Sequence, residues 1–143
     1  MKIRVLLVDD EKEFVDVLAE RLETRDFIVE KAFSGDEALK VMGEKEVDVI
    51  VLDVLMPGKD GVATLQELKK LNPIIEVIML TGHGSVDTAV EGMKLGAFDY
   101  LMKPTETRDL VEKIVRAYKR KVEQEERIRQ AEIDRILLTK GWS

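Results

Sequence analysis

The sequence has no cysteine and a single histidine among its 143 residues. Disulfide frameworks, thiolate nucleophiles, cysteine-held zinc and multi-histidine metal centres are therefore excluded, and any bound metal has to be held by oxygen. A basic surplus is missing too. The 29 Asp and Glu outnumber the 23 Lys and Arg, for a formal charge of −6, so the chain lacks the phosphate-backbone attraction on which nucleic-acid binding rests. No direct nucleic-acid binding is expected. Nor is there an uninterrupted apolar run of about 18 residues to span a bilayer. The stretch Met1–Val8 is far shorter than a signal-peptide core and runs straight into Asp9-Asp10-Glu11. These absences point to a cytoplasmic protein without a membrane partner. With 45% hydrophobic and 36% charged residues, the chain has enough apolar material for one soluble globular core and too much for disorder.

Short runs rich in Val, Ile and Leu recur without alternating polarity, as strands covered on both faces do. They are Ile3–Val8, Phe27–Ala32, Val47–Leu52, Val77–Leu80 and Phe98–Met102. Glu30 and Lys31 interrupt the second run, which suggests an edge strand. Helical spacing separates the runs: Phe14, Leu18 and Leu22; Ala38, Leu39 and Met42; Val62, Leu65, Leu68 and Leu71; Val86, Val90 and Met93. Ser34 with Glu37 forms a capping-box pattern, Asn72-Pro73 stops the third helix, and Gly96 follows the fourth where a left-handed cap is common. Five strand–helix alternations with short connections predict an α/β fold, a doubly wound parallel sheet with helices on both faces. A fifth helix starting near Thr105 or Glu106 buries Leu110, Ile114 and Ala117 or Tyr118. With no Gly or Pro before Gly141, residues 105–140 form one extended C-terminal helix of about 54 Å.

In such sheets chemistry gathers at the carboxyl ends of the strands. Asp9 and Asp10 end the first strand, Asp53 the third, Thr81 the fourth and Lys103 the fifth. Converging carboxylates repel one another, and a divalent cation or a lysine relieves the repulsion. Oxygen-only ligands suit magnesium. A carboxylate, a hydroxyl and an ammonium beside that ion are equipment for phosphoryl chemistry, and an aspartate can accept the phosphoryl group as an acyl phosphate.

The pattern Asp9-Asp10, Asp53-Val54-Leu55-Met56-Pro57-Gly58-Lys59-Asp60-Gly61, Thr81-Gly82 and Tyr100-Leu101-Met102-Lys103-Pro104 resembles the receiver domain of two-component response regulators. The resemblance covers residues 1 to about 120. It implies a flavodoxin-like sheet of strand order 2-1-3-4-5, with a receiver over 1–120 and a charged helical extension over 121–143. It further implies Asp53 as phosphoacceptor and a magnesium site formed by Asp10, Asp53 and the backbone carbonyl of Leu55, with Asp9 acting through water. Thr81 matches the hydroxyl that turns to the phosphoryl group, Lys103 the lysine that pairs with it, Tyr100 the aromatic that moves inward with the threonine, and Lys103-Pro104 a bond usually cis. The phosphodonor implied is a histidine kinase's phosphohistidine. The expected role is a switch that controls partner binding or dimerisation, through the fourth helix, fifth strand and fifth helix or through the C-terminal extension.

Singly, these residues have plainer readings. Asp9-Asp10-Glu11 can cap the first helix, Thr81 can end a strand, Lys103 can be a solvated charge and Tyr100 simple packing. Asp60-Gly61 is read as structural, holding the turn into the third helix. His83, two residues after Thr81, is either a solvated loop histidine or, with Leu55, a control on water reaching the acyl phosphate. Gly82 stands where the family usually has Ala or another small residue, and loosens that loop. Two other functions compete. A magnesium phosphohydrolase with an aspartyl nucleophile typically carries a second aspartate two residues on, where this chain has Leu55; a phosphorylation-independent binding module would not need the full set. The chain is accordingly expected to be a phosphoacceptor and not a turnover enzyme.

Only about 22 residues follow position 121, too few for a helix-turn-helix with its own core. The natural protein is then either a single-domain regulator acting through partners or longer than this chain. Heptad positions near 118, 122, 125 and 129 hold Tyr, Val, Glu and Arg, which supports a continuous coiled coil only weakly. The apolar end formed by Ile133, Ile136, Leu137, Leu138 and Trp142 favours packing on another surface, such as a second protomer.

Overall fold

A computed structural model describes residues 2–56, 60–82 and 86–141. Strands β1 (Arg4–Val8), β2 (Ile28–Ala32), β3 (Val49–Asp53), β4 (Glu76–Thr81) and β5 (Asp99–Met102) alternate with helices α1 (Lys12–Glu23), α2 (Gly35–Glu44), α3 (Gly61–Leu71), α4 (Val86–Lys94) and α5 (Thr107–Thr139). The strands form one parallel sheet in the order β2-β1-β3-β4-β5, so the polar-interrupted β2 lies at an edge as its sequence suggests.

The two-residue period of the strands explains the layers. Leu6 and Val8 of β1, Ile50 and Leu52 of β3, and Val77 and Met79 of β4 face one side, where α2, α3 and α4 add Ala38, Leu65, Leu68 and Ala89. Val5 and Leu7, Val49 and Val51, and Ile78 and Leu80 face the other, against Val15, Leu18 and Leu22 of α1 and Leu110, Ile114 and Ala117 of α5. Central strands with buried side chains on both faces read as continuous apolar runs, which is why the sequence exposes them. Each fully buried Val, Leu or Ile contributes about 1.5–3 kcal/mol of transfer free energy.

Helix ends follow local chemistry. The Ser34 hydroxyl accepts from the Glu37 N–H at 3.1 Å, and the Asp60 carboxylate accepts from the Ala63 N–H at 2.7 Å. Asn72 ends α3 as expected. Gly96 (φ 105°) closes α4: its own N–H reaches the Met93 carbonyl and the Ala97 N–H the Gly92 carbonyl. The same bond pair closes α1, where the Asp26 and Phe27 N–H groups reach Glu23 and Leu22. There, however, the left-handed residue is Asp26 (φ 67°), a terminator that its residue type does not announce.

In α4 the structure corrects the apolar-face expectation. Val86, Val90 and Met93 are 52%, 45% and 38% exposed, while Ala89 and Gly92 face the sheet. The reason is space: a Cβ at Gly92 would run into the side chain of Met79. Only small residues fit beneath this helix, so its larger apolar side chains point outward. By contrast α5 behaves as expected, burying Leu110, Ile114 and Ala117 and running unbroken for 33 residues, about 50 Å. It is anchored across the amino-terminal edge of the sheet, where Arg120 Nε lies 3.0 Å from the buried Glu76 carboxylate and Lys121 Nζ 3.0 Å from Asp48. Burial raises the Glu76 pKa although Arg120 and Lys69 oppose it.

A left-handed conformation strains any side chain and is free for glycine. The Lys2–Asp26 contact that glycine would remove is a 4.0 Å surface pair. Relief of the left-handed conformation, about 1–2 kcal/mol, exceeds the loss of about 0.4–1 kcal/mol by which glycine loosens the unfolded chain. Asp26→Gly is therefore expected to raise stability by about 0.5–1 kcal/mol, read as a higher urea midpoint with an unchanged slope; an unchanged or lower midpoint contradicts this.

Candidate functional site

At the carboxyl edge of the sheet, the ends of β1, β3, β4 and β5 deliver the residues singled out from sequence. Asp53 is the last residue of β3 and Thr81 the last of β4; Asp9 and Asp10 follow β1, and Lys103 follows β5. One carboxylate oxygen from each of Asp9, Asp10 and Asp53 lies within 4.8 Å of the others. Asp9 and Asp53 are buried, at 2% and 4% exposure, whereas Asp10 is open to solvent. Lys103 Nζ reaches across them, 2.6 Å from Asp9, 3.4 Å from Glu11 and 3.8 Å from Asp53. The ammonium also lies 4.5 Å from the centre of the Phe14 ring of α1. That aromatic seat was not visible in the sequence, where Phe14 read only as a core position.

Backbone geometry fixes the lysine. The Lys103 N–H donates to the Thr81 carbonyl at 2.6 Å, and the Lys103–Pro104 peptide is cis, as the resemblance implied. The Thr81 hydroxyl donates weakly to the Leu101 carbonyl, at 3.4 Å, and so points to β5. Tyr100 is 38% exposed. Of the segment following Asp53, Pro57, Gly58 and Lys59 lie outside the described residues, as do His83 and Trp142. Val54 and Met56 are buried, and Leu55, whose N–H donates to Asp53 Oδ1 at 3.2 Å, holds its side chain 57% exposed at the mouth of the site. The turn closes at Gly61, whose N–H donates to the Val54 carbonyl at 3.2 Å. A Cβ there would collide with Val54 Cα and lie 2.7 Å from the Asp53 carbonyl oxygen. Gly61 thus permits the start of α3 to press against the end of β3, the structural role expected of Asp60-Gly61.

The charges do not balance. Burial and the neighbouring Asp9 charge push the Asp53 pKa up to about 6, with a smaller push from Asp10; the Leu55 N–H and Lys103 pull it down but do not prevail. Burial also opposes the charge on Lys103, yet its hydrogen bond to Asp9 and the charges of Asp53, Asp9 and Glu11 leave its pKa raised. Among the described residues one ammonium therefore serves an excess of carboxylates. The donor set is all oxygen, closely spaced and partly solvated, and it fits a hard divalent cation such as magnesium.

Residues 5–115 match the family described as response regulator receiver domain. The chain is 42% identical over 116 residues to the transcriptional regulatory protein ZraR of Salmonella typhimurium, a match covering 81% of this chain and 26% of ZraR. It thus spans about a quarter of the length of that curated relative. The crystal structure of a response regulator receiver domain protein from Clostridium thermocellum superposes with a TM-score of 0.80 at 39% identity, covering 83% of this chain and 96% of the other. NtrX from Brucella abortus, in complex with ADP, superposes at 0.83 with 33% identity, covering 88% of this chain and 29% of NtrX.

Because the folded-state pKa of Asp53 stands above its ordinary value of 3.8, its ionisation costs stability. The cost is absent below about pH 3.8, grows as pH rises from there to about 6, and is constant above that. In chelator, Asp53→Asn should melt several degrees above the parent at pH 7.5, with the gap narrowing below pH 6 and closing towards pH 4. Magnesium should raise the melting temperature of the parent more than that of the variant. A variant melting below the parent in chelator at pH 7.5 would show that the Lys103 contact outweighs the repulsion. Gly61→Ala should lower stability by about 2 kcal/mol or more, measured by urea titration.

Proposed function

The chain belongs to the response regulator receiver domain family, and from that premise we propose that it is a phosphorylation-controlled switch whose phosphoacceptor is Asp53. The observation that carries this reading is the joint placement of Asp53, Asp9, Thr81 and Lys103 at one buried strand edge, with Lys103 Nζ 3.8 Å from the Asp53 carboxylate.

The donor is a phosphohistidine of a sensor histidine kinase. An Asp53 oxygen attacks phosphorus, the P–O bond forms as the P–N bond breaks, and the imidazole takes up a proton as it leaves. Attack needs the carboxylate, and with a pKa of about 6 Asp53 is mostly ionised at neutral pH. Asp10, Asp53 and the Leu55 carbonyl, with Asp9 through water, are the groups that would hold magnesium, which when bound supplies charge neutralisation at the phosphoryl oxygens. Lys103 is already inside the site, so it can turn from Asp53 to a phosphoryl oxygen without travelling. The added charge of about −1.5 to −2 with three acceptor oxygens outbids the weak Thr81–Leu101 contact. Thr81 then turns inward and frees room for Tyr100.

The readout surface lies beside that pair. Val86, Val90 and Met93 of α4 and Tyr100 and Met102 of β5 are exposed apolar residues, suited to a second copy or a partner protein. Homodimerisation through α4, β5 and α5 or through the C-terminal extension is the expected output, in the cytoplasm and without direct contact to nucleic acid. Leu55, where aspartyl phosphohydrolases carry their acid–base aspartate, argues for a phosphoacceptor over a turnover enzyme.

Incubation with acetyl phosphate and magnesium should place one acid-stable, base-labile phosphoryl group per chain, absent in Asp53→Asn and slow to form below pH 6. Lys103→Ala should slow labelling by at least tenfold. Sustained turnover of a small phosphate ester, or label retained in Asp53→Asn, defeats the proposal.

A further inference from the structure

Past Glu125, α5 leaves the domain, and every residue from Glu126 to Thr139 is exposed. Yet Val122, Ile133 and Ile136 on this projecting helix present apolar side chains at 42%, 43% and 45% exposure. They belong to a seam whose spacing alternates between four and three residues: Val115, Lys119, Val122, Glu126, Arg129, Ile133, Ile136 and Lys140. That alternation keeps one stripe of a helix facing a partner helix.

We propose that two copies of the chain pair through this seam in antiparallel orientation, about a two-fold axis between residues 127 and 128. This narrows the dimer reading given above to one surface and one direction, and it rests on that reading. The charges decide the direction. In a parallel pair each seam residue meets its own counterpart, so Lys119, Glu126, Arg129 and Lys140 all face like charges at buried layers. In the antiparallel pair none does. Glu126 meets Arg129 of the second copy, Val122 meets its Ile133, Lys119 lays its stem over its Ile136, and Val115 meets the stem of its Lys140. Glu126 and Arg129 already form an ion pair within one helix. The two-fold brings two such pairs together as an alternating square, each acid flanked by two cations.

Shape agrees with charge. The antiparallel course carries residues 136–140 of the second copy back along α5, level with an open groove of about 720 Å³ bordered by Val111, Val115 and Lys119. A parallel course takes them away from it. Glu125 is the last partly buried residue before the helix stands free, so an axis beyond it places the two domains at opposite ends of the pair.

The absence of cysteine allows a direct test by oxidative cross-linking. Val122→Cys and Ile133→Cys should each cross-link poorly alone, but efficiently when the two single variants are mixed or when both changes sit in one chain. Efficient cross-linking of Val122→Cys alone means a parallel pair and overturns the proposal, as does absence of cross-linking in the double variant both with and without beryllofluoride. Charge reversal supplies an independent arm. By sedimentation equilibrium, Glu126→Arg should weaken self-association about tenfold, since two pairs change at once, and adding Arg129→Glu should restore it; a parallel pair gains nothing from the second change. These sites are solvent-exposed, and acetyl phosphate labelling of each variant reports an intact domain. Labelling without the 122–133 cross-link defeats this inference alone, and cross-linking without labelling defeats the phosphoacceptor reading alone.

Discussion

The structure depends on one imbalance: among the described residues, more carboxylates than the Lys103 ammonium can neutralise are held together at the end of a buried sheet. Asp9, Asp10 and Asp53 bring oxygens within 4.8 Å, and the fold does not relax them apart because β1 and β3 are paired in register from Val5 and Val49 to Val8 and Leu52. Burial of both faces of these strands supplies the rigidity, and the same burial withholds the water that would screen the repulsion. Lys103 offsets part of it. The remainder is kept as an unmet demand for positive charge, which makes the edge receptive to a divalent cation.

That demand explains the loops around the site. A strand end pressed against a helix start, with Gly61 against Val54, fixes Asp53 from behind, whereas among the described residues Thr81 is held by its backbone and one long hydroxyl contact to Leu101. The Asp53 carboxylate is held tightly and the Thr81 hydroxyl loosely. Such a division lets a local charge change move one residue without disturbing the other. Outward-facing α4 rests on Ala89 and Gly92, so its larger apolar side chains remain exposed.

Much of this was legible beforehand because fully buried strands advertise themselves as unbroken apolar runs, and because a parallel sheet gathers its strand ends along one edge. The five polar positions could be brought together from order and spacing alone. Orientation was not legible. Val86, Val90 and Met93 form as good an apolar stripe as any core-facing helix, and only the bulk of Met79 beneath Gly92 turns them out. Asp26 carries no signal of a left-handed residue, since aspartate is ordinary at a helix end. The Phe14 seat for Lys103 joins residues far apart in sequence, and no periodicity foretells it. In the tail, the frame through 118, 122, 125 and 129 looks weak, while shifting alternate positions by one residue, to 119 and 126, gives a seam whose charges complement each other.

The helix α5 has a mechanical side. From Leu110, seated in the core, to Thr139 it covers about 44 Å without a glycine or proline to bend it. It is therefore a stiff lever whose fulcrum is the set of contacts with the sheet. The last of those contacts are made by Arg120 and Lys121, about 27 Å before Thr139, so a tilt of one degree there sweeps the far end through about 0.5 Å, and rearrangements of the sheet too small to alter the core are enlarged along the free helix. Distance from the sheet becomes, for this helix, amplification.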